Sequence, residues 1–337
     1  MAWPPELIDD ATTEIFLRLP PDEPAHLVRA AVVCTSWRGI LTDPTFLRRY
    51  RAFHGAPPLL GFLDVSTGPD EVVPSFTPTV QASPFPHQTL DCVDWRTLDC
   101  RHGRVLFGLY LDTDNLVVWD PITGVHQELP IPCIARGYYT AAVFCSVRGC
   151  DHLNCHGGPF CVVLTGISHD ASYTMWAHLY SSEAGAWIAS THLDPRPPGE
   201  SLVLIHPPKV PYSEGGMILL PVEGDSLGLA SISGSRLSLW STNVNPEGIA
   251  GWVQCRDIEL MTGFSFMANS IIYIVGSIEG MGIIFVATEF GRFAIDLKSG
   301  QERKVDEPGI NDVIFPFMSF YTPDCTSSKL PVLTMED

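Results

Sequence analysis

The chain has 337 residues, of which 45% are hydrophobic and 17% charged, a composition typical of a folded protein of about two domains. Its formal net charge of −18 repels phosphate backbones and argues against nucleic-acid binding as a main role. Residues 1–54 contain seven acidic side chains and six arginines, so almost all of this charge falls on the remainder. The larger part of the chain therefore suits a neutral or basic partner.

The sequence carries no pattern that directs it to a membrane. Residues 1–20 are acidic and lack the basic start and apolar run of a secretory signal. The most apolar long stretch, residues 271–287, is interrupted by Glu279 and several glycines and is too short to cross a bilayer. We therefore expect a soluble protein of the cytoplasm or nucleus, with its ten cysteines present mainly as reduced thiols.

Residues 7–50 hold the densest helical pattern in the sequence. In the first part, apolar residues recur every fourth position and share one helical face: Leu7, Ala11, Ile15 and Leu19. The prolines at positions 4 and 5 suit the first turn of this helix, and Pro20 and Pro21 should end it. The pattern predicts a helix whose opposite face is acidic.

Three more short helices are predicted before residue 55. The second begins at Pro24, and the third is capped by Thr35 or Ser36. Asp43 followed by Pro44 reads as an N-cap and first-turn pair that opens the fourth helix. Helices this short cannot bury all their apolar side chains among themselves. We therefore expect part of their apolar surface to be exposed and to bind a partner.

Five segments of this region, in the correct mutual spacing, resemble an F-box in the form common in plant proteins. They are LIDD at 7–10, EIFLRLP at 14–20, LVRA at 27–30, VCTSWR at 33–38 and DPTFLRRY at 43–50. The family usually opens with Leu-Pro-x-Asp/Glu-Leu. Either residues 7–11 supply this opening, with Ile8 and Ala11 in place of the proline and the second leucine, or residues 4–7 supply it three positions earlier.

The resemblance implies that residues 1–54 form an all-α F-box of three to four helices. Such a domain docks on a Skp-type adaptor and, through it, on a cullin. The adaptor-binding residues that we expect are apolar anchors together with the proline that shapes the turn between them. They are Leu7, Ile8, Ile15, Leu19, Pro20, Leu27, Val28, Val33 and Trp37.

After a short linker at residues 55–58, helical periodicity almost disappears. Short apolar runs, separated by Gly, Pro, Asp and Ser, take its place and predict many strands without intervening helices. They lie at 59–63, 104–110, 115–119, 139–146, 160–165, 175–181, 216–220, 227–231, 237–240, 271–275, 282–287 and 292–295. This pattern is typical of an antiparallel sandwich, barrel or propeller.

A weak internal repeat favours the propeller. An apolar strand followed by a polar pair and a Gly-containing turn recurs at 117–124, 179–187 and 293–300, with a related strand at 237–240. These segments are similar to the F-box-associated propeller domains of plants. At about 40 to 50 residues per blade, we predict an all-β propeller of six blades, or seven at most, over residues 59–322. Residues 323–337 are expected to form a polar tail.

One cluster of residues could form a chemical site: Cys145, Cys150, His152, Cys155 and His156. Thiolates and imidazoles are the ligands that zinc prefers. The segment has no Cys-x-x-Cys knuckle and no second half elsewhere to close a finger, so we expect no metal here. Three interpretations remain open: a structural loop with local packing, a zinc site and a redox-sensitive thiol.

The sequence contains no Gly-x-Ser-x-Gly elbow, no His-Glu-x-x-His motif and no P-loop. We therefore expect a protein without catalysis or cofactors of its own. The resemblance implies the substrate-recognition subunit of an SCF-type cullin-RING ubiquitin ligase, whose propeller binds an unknown protein substrate. The alternatives are a propeller that binds a sugar or another small ligand, a propeller enzyme, and an F-box protein that acts outside a ligase.

Overall fold

A computed structural model describes residues 8–67, 72–79, 95–109, 115–132, 137–153, 155, 157–168, 175–193, 216–221, 227–244, 250–260, 272–278, 281–306 and 314–323. Four helices come first: α1 (Asp9–Phe16), α2 (Ala25–Val33), α3 (Thr35–Thr42) and α4 (Pro44–His54). None of the described helices combines the length and the hydropathy that a membrane-spanning helix requires.

The helix boundaries follow from local chemistry. Pro24 is the N-cap of α2, as predicted. The carboxylate of Asp43 accepts hydrogen bonds from the backbone N–H groups of Thr45 and Phe46, at 2.6 and 3.1 Å, which confirms the predicted cap of α4. The predicted cap of α3 is wrong by one residue or two. Cys34 has the extended backbone of an N-cap, and its Sγ accepts from the backbone N–H of Trp37 at 3.5 Å.

Nineteen strands follow in the described residues. They are β1 (Leu59–Thr67), β2 (Val72–Pro78), β3 (Trp95–Arg101), β4 (Arg104–Leu109), β5 (Asn115–Trp119), β6 (His126–Pro130), β7 (Gly137–Cys145), β8 (Phe160–Ser168), β9 (Met175–Ser181), β10 (Ala186–Leu193), β11 (Met217–Pro221), β12 (Leu227–Ser233), β13 (Arg236–Val244), β14 (Ala250–Glu259), β15 (Tyr273–Ile278), β16 (Ile283–Thr288), β17 (Gly291–Asp296), β18 (Glu302–Asp306) and β19 (Phe315–Met318).

The strands form four-stranded antiparallel sheets in chain order: β3 to β6, β7 to β10, β11 to β14 and β15 to β18. A fifth, three-stranded sheet has the order β19-β1-β2, so the last described strand pairs with the first. A repeated antiparallel meander of four strands is the blade of a β-propeller. The predicted fold class, four helices followed by a β-propeller, is therefore confirmed.

The predicted blade number is wrong. The described residues form five sheets, not six or seven. The prediction assumed about 40 to 50 residues per blade, but some blades with their connections contain more residues than this. The sheet of β7 to β10 extends from Gly137 to Leu193, and the next described strand begins at Met217. Most of the predicted C-terminal tail lies outside the described residues.

The chain divides into two compact units, Met1–Pro195 with Phe317–Asp337, and Arg196–Pro316. In the first unit, one apolar core lies among β4 to β9 and includes Leu106, Leu116, Val162 and Leu164. In the second, a separate core includes Ile232, Leu237, Ile284 and Val286. Alternate residues of β-strands face the same side, which is why the short apolar runs of the sequence become these cores.

Candidate functional site

The helices α1 to α4 leave several apolar side chains uncovered. Ile8 is 71% exposed, Ile15 51%, Val32 60% and Val33 62%. Ile8 and Ile15 belong to the first helix and its N-cap, whereas Val32 and Val33 end the second helix. Scattered single apolar residues are normal on a surface, whereas four of them on two short helices are available for contact with a partner. We call these four residues the apolar surface.

The predicted adaptor-binding residues have different environments. Ile8, Ile15 and Val33 belong to the apolar surface, and Pro20 is also exposed. Leu19, Val28 and Trp37 are half-buried, so each presents part of its side chain. Leu27 is only 1% exposed and lies in the helical core, where no partner can touch it in this conformation. Leu7 lies outside the described residues. Val32 was not among the predicted residues, although its position beside Val33 could have suggested it.

Local contacts fix the helices that carry this surface. The rings of Phe16 and Trp37 meet edge to face at 5.2 Å, which joins α1 to α3. The hydroxyl of Tyr50 donates to the backbone oxygen of Leu19 at 2.9 Å, which ties α4 to the turn after α1. Glu14 bridges Arg18 at 2.8 Å and Arg49 at 2.9 Å. These ion pairs are exposed, so they orient side chains more than they stabilise the fold.

The helical core also contains residues from outside the four helices. Phe320, which follows β19, is 3% exposed and belongs to this core. Leu153, from the loop between β7 and β8, is half-buried and packs against it. The helices therefore share their core with two segments of the β region in the same compact unit.

The loop between β7 and β8 also carries the predicted Cys/His cluster. The ligand atoms of Cys145, Cys150, His152 and Cys155 all lie within 4.8 Å of one another. The Sγ of Cys155 is 3.6 Å from Nδ1 of His152, and the thiols of Cys145 and Cys155 are in hydrogen-bonding contact. Of the five predicted candidates, only His156 lies outside the described residues.

Burial and two neighbouring thiols change the acidity of Cys155. Desolvation is the largest cause, followed by Cys145 and Cys150, and together they raise the pKa of Cys155 to about 12. Arg104 acts in the opposite direction but does not compensate. Without a cation, the Cys155 thiol therefore stays protonated at neutral pH, which makes it a weak nucleophile.

Two residues beside the cluster were not singled out from the sequence. His102 is in the turn between β3 and β4, and its ring stacks on His152 with 4.0 Å between centroids and 6° between planes. Arg104 opens β4, is 3% exposed, and donates through Nη2 to the backbone oxygen of Cys155 at 2.6 Å. Both lie some forty to fifty positions before the cluster, and nothing in the local sequence pattern indicates the contact.

Comparisons with known proteins identify the helical part. The F-box domain model matches residues 5–49, so α1 to α4 form an F-box domain. No curated protein matches the chain.

Solved structures similar to this chain include the WD40 domain of SCAP from fission yeast and oligopeptidase B from Trypanosoma brucei with covalently bound antipain. The first is 14% identical with a TM-score of 0.27, and the match covers 74% of this chain and 57% of that one. The second is 10% identical with a TM-score of 0.30, and the match covers 72% of this chain and 38% of that one. The chain thus spans about half the length of these structures. TM-scores this low do not support any inference about its function.

Proposed function

We propose that this chain is the substrate-recognition subunit of an SCF-type cullin-RING ubiquitin ligase. The F-box domain at residues 5–49 supports this proposal, since F-box domains generally bind Skp-type adaptors. The observation that carries it is the apolar surface of Ile8, Ile15, Val32 and Val33, which the chain itself leaves uncovered. In this proposal the adaptor covers that surface and joins the chain to a cullin.

The docking residues follow from exposure. Ile15 and Val33 are the central anchors, because each exposes more than half of its surface from a well-defined helix. The half-buried Trp37 contributes the exposed part of its side chain. Leu27 holds the helices together from inside and acts on binding only through the fold.

The β-propeller has the second role, which is to hold the protein to be ubiquitinated. The negative charge of the chain, almost all of it beyond residue 54, supports a client with a neutral or basic surface. The chain itself contributes no catalysis in this proposal. Its effect on rate comes from proximity, because a client bound to a folded bridge stays near the charged ubiquitin carrier. The cytoplasm and the nucleus are the compartments where we place it.

The test is reconstitution with purified components. The full chain is mixed with a Skp-type adaptor and a cullin, and the complex is analysed by gel filtration. The expected result is stoichiometric co-elution of all three, with cullin recruitment that depends on the adaptor. Elution of the chain apart from the adaptor would overturn the proposal.

A matched pair of variants locates the contact. The double variant Ile15→Glu with Val33→Glu places two charges on the apolar surface and should abolish co-elution. The double variant Ile188→Glu with Val253→Glu makes the same changes at positions of the β region that are 57% and 50% exposed, and it should co-elute as the unchanged chain does. Equal behaviour of the two variants would contradict docking through the F-box helices.

A further inference from the structure

We propose that Cys145, Cys150, His152 and Cys155 bind one zinc ion, which fixes the loop between β7 and β8. The site is a Cys₃His set of the kind that holds structural zinc in proteins. The proposal concerns the β region and does not rest on the function proposed for the F-box.

The distances suit a tetrahedral ion. With zinc–sulfur bonds of about 2.3 Å and a zinc–nitrogen bond of about 2.1 Å, the edges of the tetrahedron are about 3.8 Å between sulfurs and about 3.6 Å between sulfur and nitrogen. Nδ1 of His152 already lies 3.6 Å from Sγ of Cys155. Since all four ligand atoms lie within 4.8 Å of one another, none has to approach another by more than about 1 Å.

One β-hairpin supplies all four ligands, three from its loop and one from the end of β7. Cys145 is the last residue of β7, and Cys155 lies shortly before β8 begins at Phe160. The antiparallel pairing of β7 with β8 brings the two ends of the loop together, and Cys145 lies opposite Phe160. A site closed in this way needs neither a Cys-x-x-Cys knuckle nor a second half elsewhere in the chain.

The backbone of the loop is already shaped around the sulfurs. The N–H of His152 donates to Sγ of Cys150 at 3.4 Å, a contact that favours a thiolate ligand. His152 has a φ of 58°, in the left-handed region that costs energy for residues other than glycine. A metal bond through Nδ1 provides a reason for that costly conformation at a residue of the set.

A positive charge also lies beside the site. Zinc with three thiolates and a neutral imidazole has a net charge of −1, and Arg104 places a buried guanidinium beside it. Nη2 of Arg104 donates to the backbone oxygens of Cys155 and Gly158. Its Nη1 is buried and has no hydrogen-bond partner among the described residues, so it remains available to a metal-bound thiolate. Beside an anionic metal site, the buried guanidinium of Arg104 would be paired with a negative charge, which buried cations require.

His102 supports the imidazole ligand from its other side. Its ring stacks on that of His152, and its Nδ1 accepts from the backbone N–H of Cys145 at 3.3 Å. His102 thus contacts two of the four ligand residues and acts as a positioning residue.

Zinc at this place would act on the F-box domain through the loop. Leu153 lies between two of the ligands in sequence and packs against the core of the F-box helices. Fixing His152 and Cys155 on one ion therefore also fixes Leu153. The consequence is a firmer connection between the helices and the β7–β10 sheet within one compact unit.

The test is the zinc content of the full-length chain purified under reducing conditions, measured by plasma mass spectrometry. We expect about one zinc ion per chain in the unchanged protein and in Cys255→Ser, whose thiol is exposed and outside the cluster. Cys150→Ser and Cys155→Ser should retain less than about a tenth of that zinc. This measurement involves no adaptor. A chain without zinc would therefore contradict the zinc site alone, and a chain that does not bind the adaptor would contradict the proposed function alone.

Cobalt provides a second measurement for the case that a ligand variant does not fold. The unchanged chain, freed of zinc by a chelator and supplied with Co²⁺, should show intense tetrahedral bands and thiolate-to-cobalt charge transfer that added Zn²⁺ abolishes. Three results would each overturn the proposal: an unchanged chain that binds neither metal, a zinc content that Cys150→Ser and Cys155→Ser leave unaltered, and a disulfide within the cluster of the reduced protein.

Discussion

The ring of Phe320 lies edge to face against the ring of Tyr50, with 6.1 Å between their centroids. Tyr50 belongs to the last helix of the F-box domain, whereas Phe320 follows the last described strand of the β-propeller. Both side chains are almost fully buried in one apolar core. The F-box helices are therefore completed by a residue from near the C-terminal end of the described chain.

Phe320→Ala should destabilise the F-box helices. Removal of a buried phenyl ring costs about 3–5 kcal/mol, because it leaves a cavity in a closely packed core. Hydrogen exchange of the amides in α1 to α4 measures this loss directly. Phe53→Ala is the control, since Phe53 lies on the same helix as Tyr50 but is 58% exposed. Equal loss of protection in the two variants would show that Phe320 does not support this core.

Leu27 and Val33 should separate stability from adaptor binding. Leu27→Ala is expected to lower the free energy of unfolding by about 2–5 kcal/mol, because the side chain is buried. Val33→Ala should change stability by less than about 0.5 kcal/mol, since the side chain is exposed. The two variants should have the opposite ranking in adaptor affinity, measured by calorimetry below the unfolding temperature. In that measurement Val33→Ala weakens binding, whereas Leu27→Ala leaves the affinity of the folded fraction unchanged.

The cap of α4 should make stability depend on acid pH. Hydrogen bonds from the backbone N–H groups of Phe46 and Thr45 lower the pKa of Asp43 below its ordinary value of 3.8. A lowered pKa in the folded state means that the stabilisation is complete above that ordinary value and is lost as the pH falls through the folded pKa. In thermal scans, Asp43→Asn should retain the cap and lose this acid dependence. At neutral pH, Asp43→Ala should have a lower melting temperature than the unchanged chain and than Asp43→Asn, because it has lost the cap.

His102→Asn should weaken zinc binding without removing it. Asparagine tolerates the left-handed backbone that His102 adopts, with a φ of 54°. It cannot stack on His152 as the imidazole does, and support of this kind changes metal affinity by about 10- to 100-fold. Competition with a chromophoric chelator measures the affinity. A variant that folds as the unchanged chain does and binds zinc equally well would show that the stacked ring has no positioning role.

Local signals in the sequence predict the elements that depend on neighbouring residues. Asp43 and Pro44 predict α4 because capping is decided within one turn. Inner strands such as β5 and β16 are predicted because they are buried and read as continuous apolar runs. Several edge strands are missed, among them β3, β6 and β18, whereas the edge strands β7, β11 and β15 are predicted. In β6 only Leu129 is buried, and no apolar run remains to be recognised.

Contacts between distant segments leave no such signal. Phe320 and Leu153 join the helical core, and Arg104 and His102 reach the Cys/His cluster, only because strand pairing brings their segments together. Residue identity alone does not distinguish Leu27, which is buried, from Val33, which is exposed on the same helix. The spacing of the cysteines predicts no metal site, whereas the hairpin gathers four ligand atoms from its loop and the end of β7.

The affinity of the full chain for a purified Skp-type adaptor is the sharpest test of docking through the F-box helices. Calorimetry compares the unchanged chain with the double variant Ile15→Glu with Val33→Glu and with the control Ile188→Glu with Val253→Glu. We expect binding by the unchanged chain and the control, and a loss of about 100-fold or more in the F-box variant. An unchanged chain that does not bind, or an F-box variant that binds as tightly as the control, would contradict this docking.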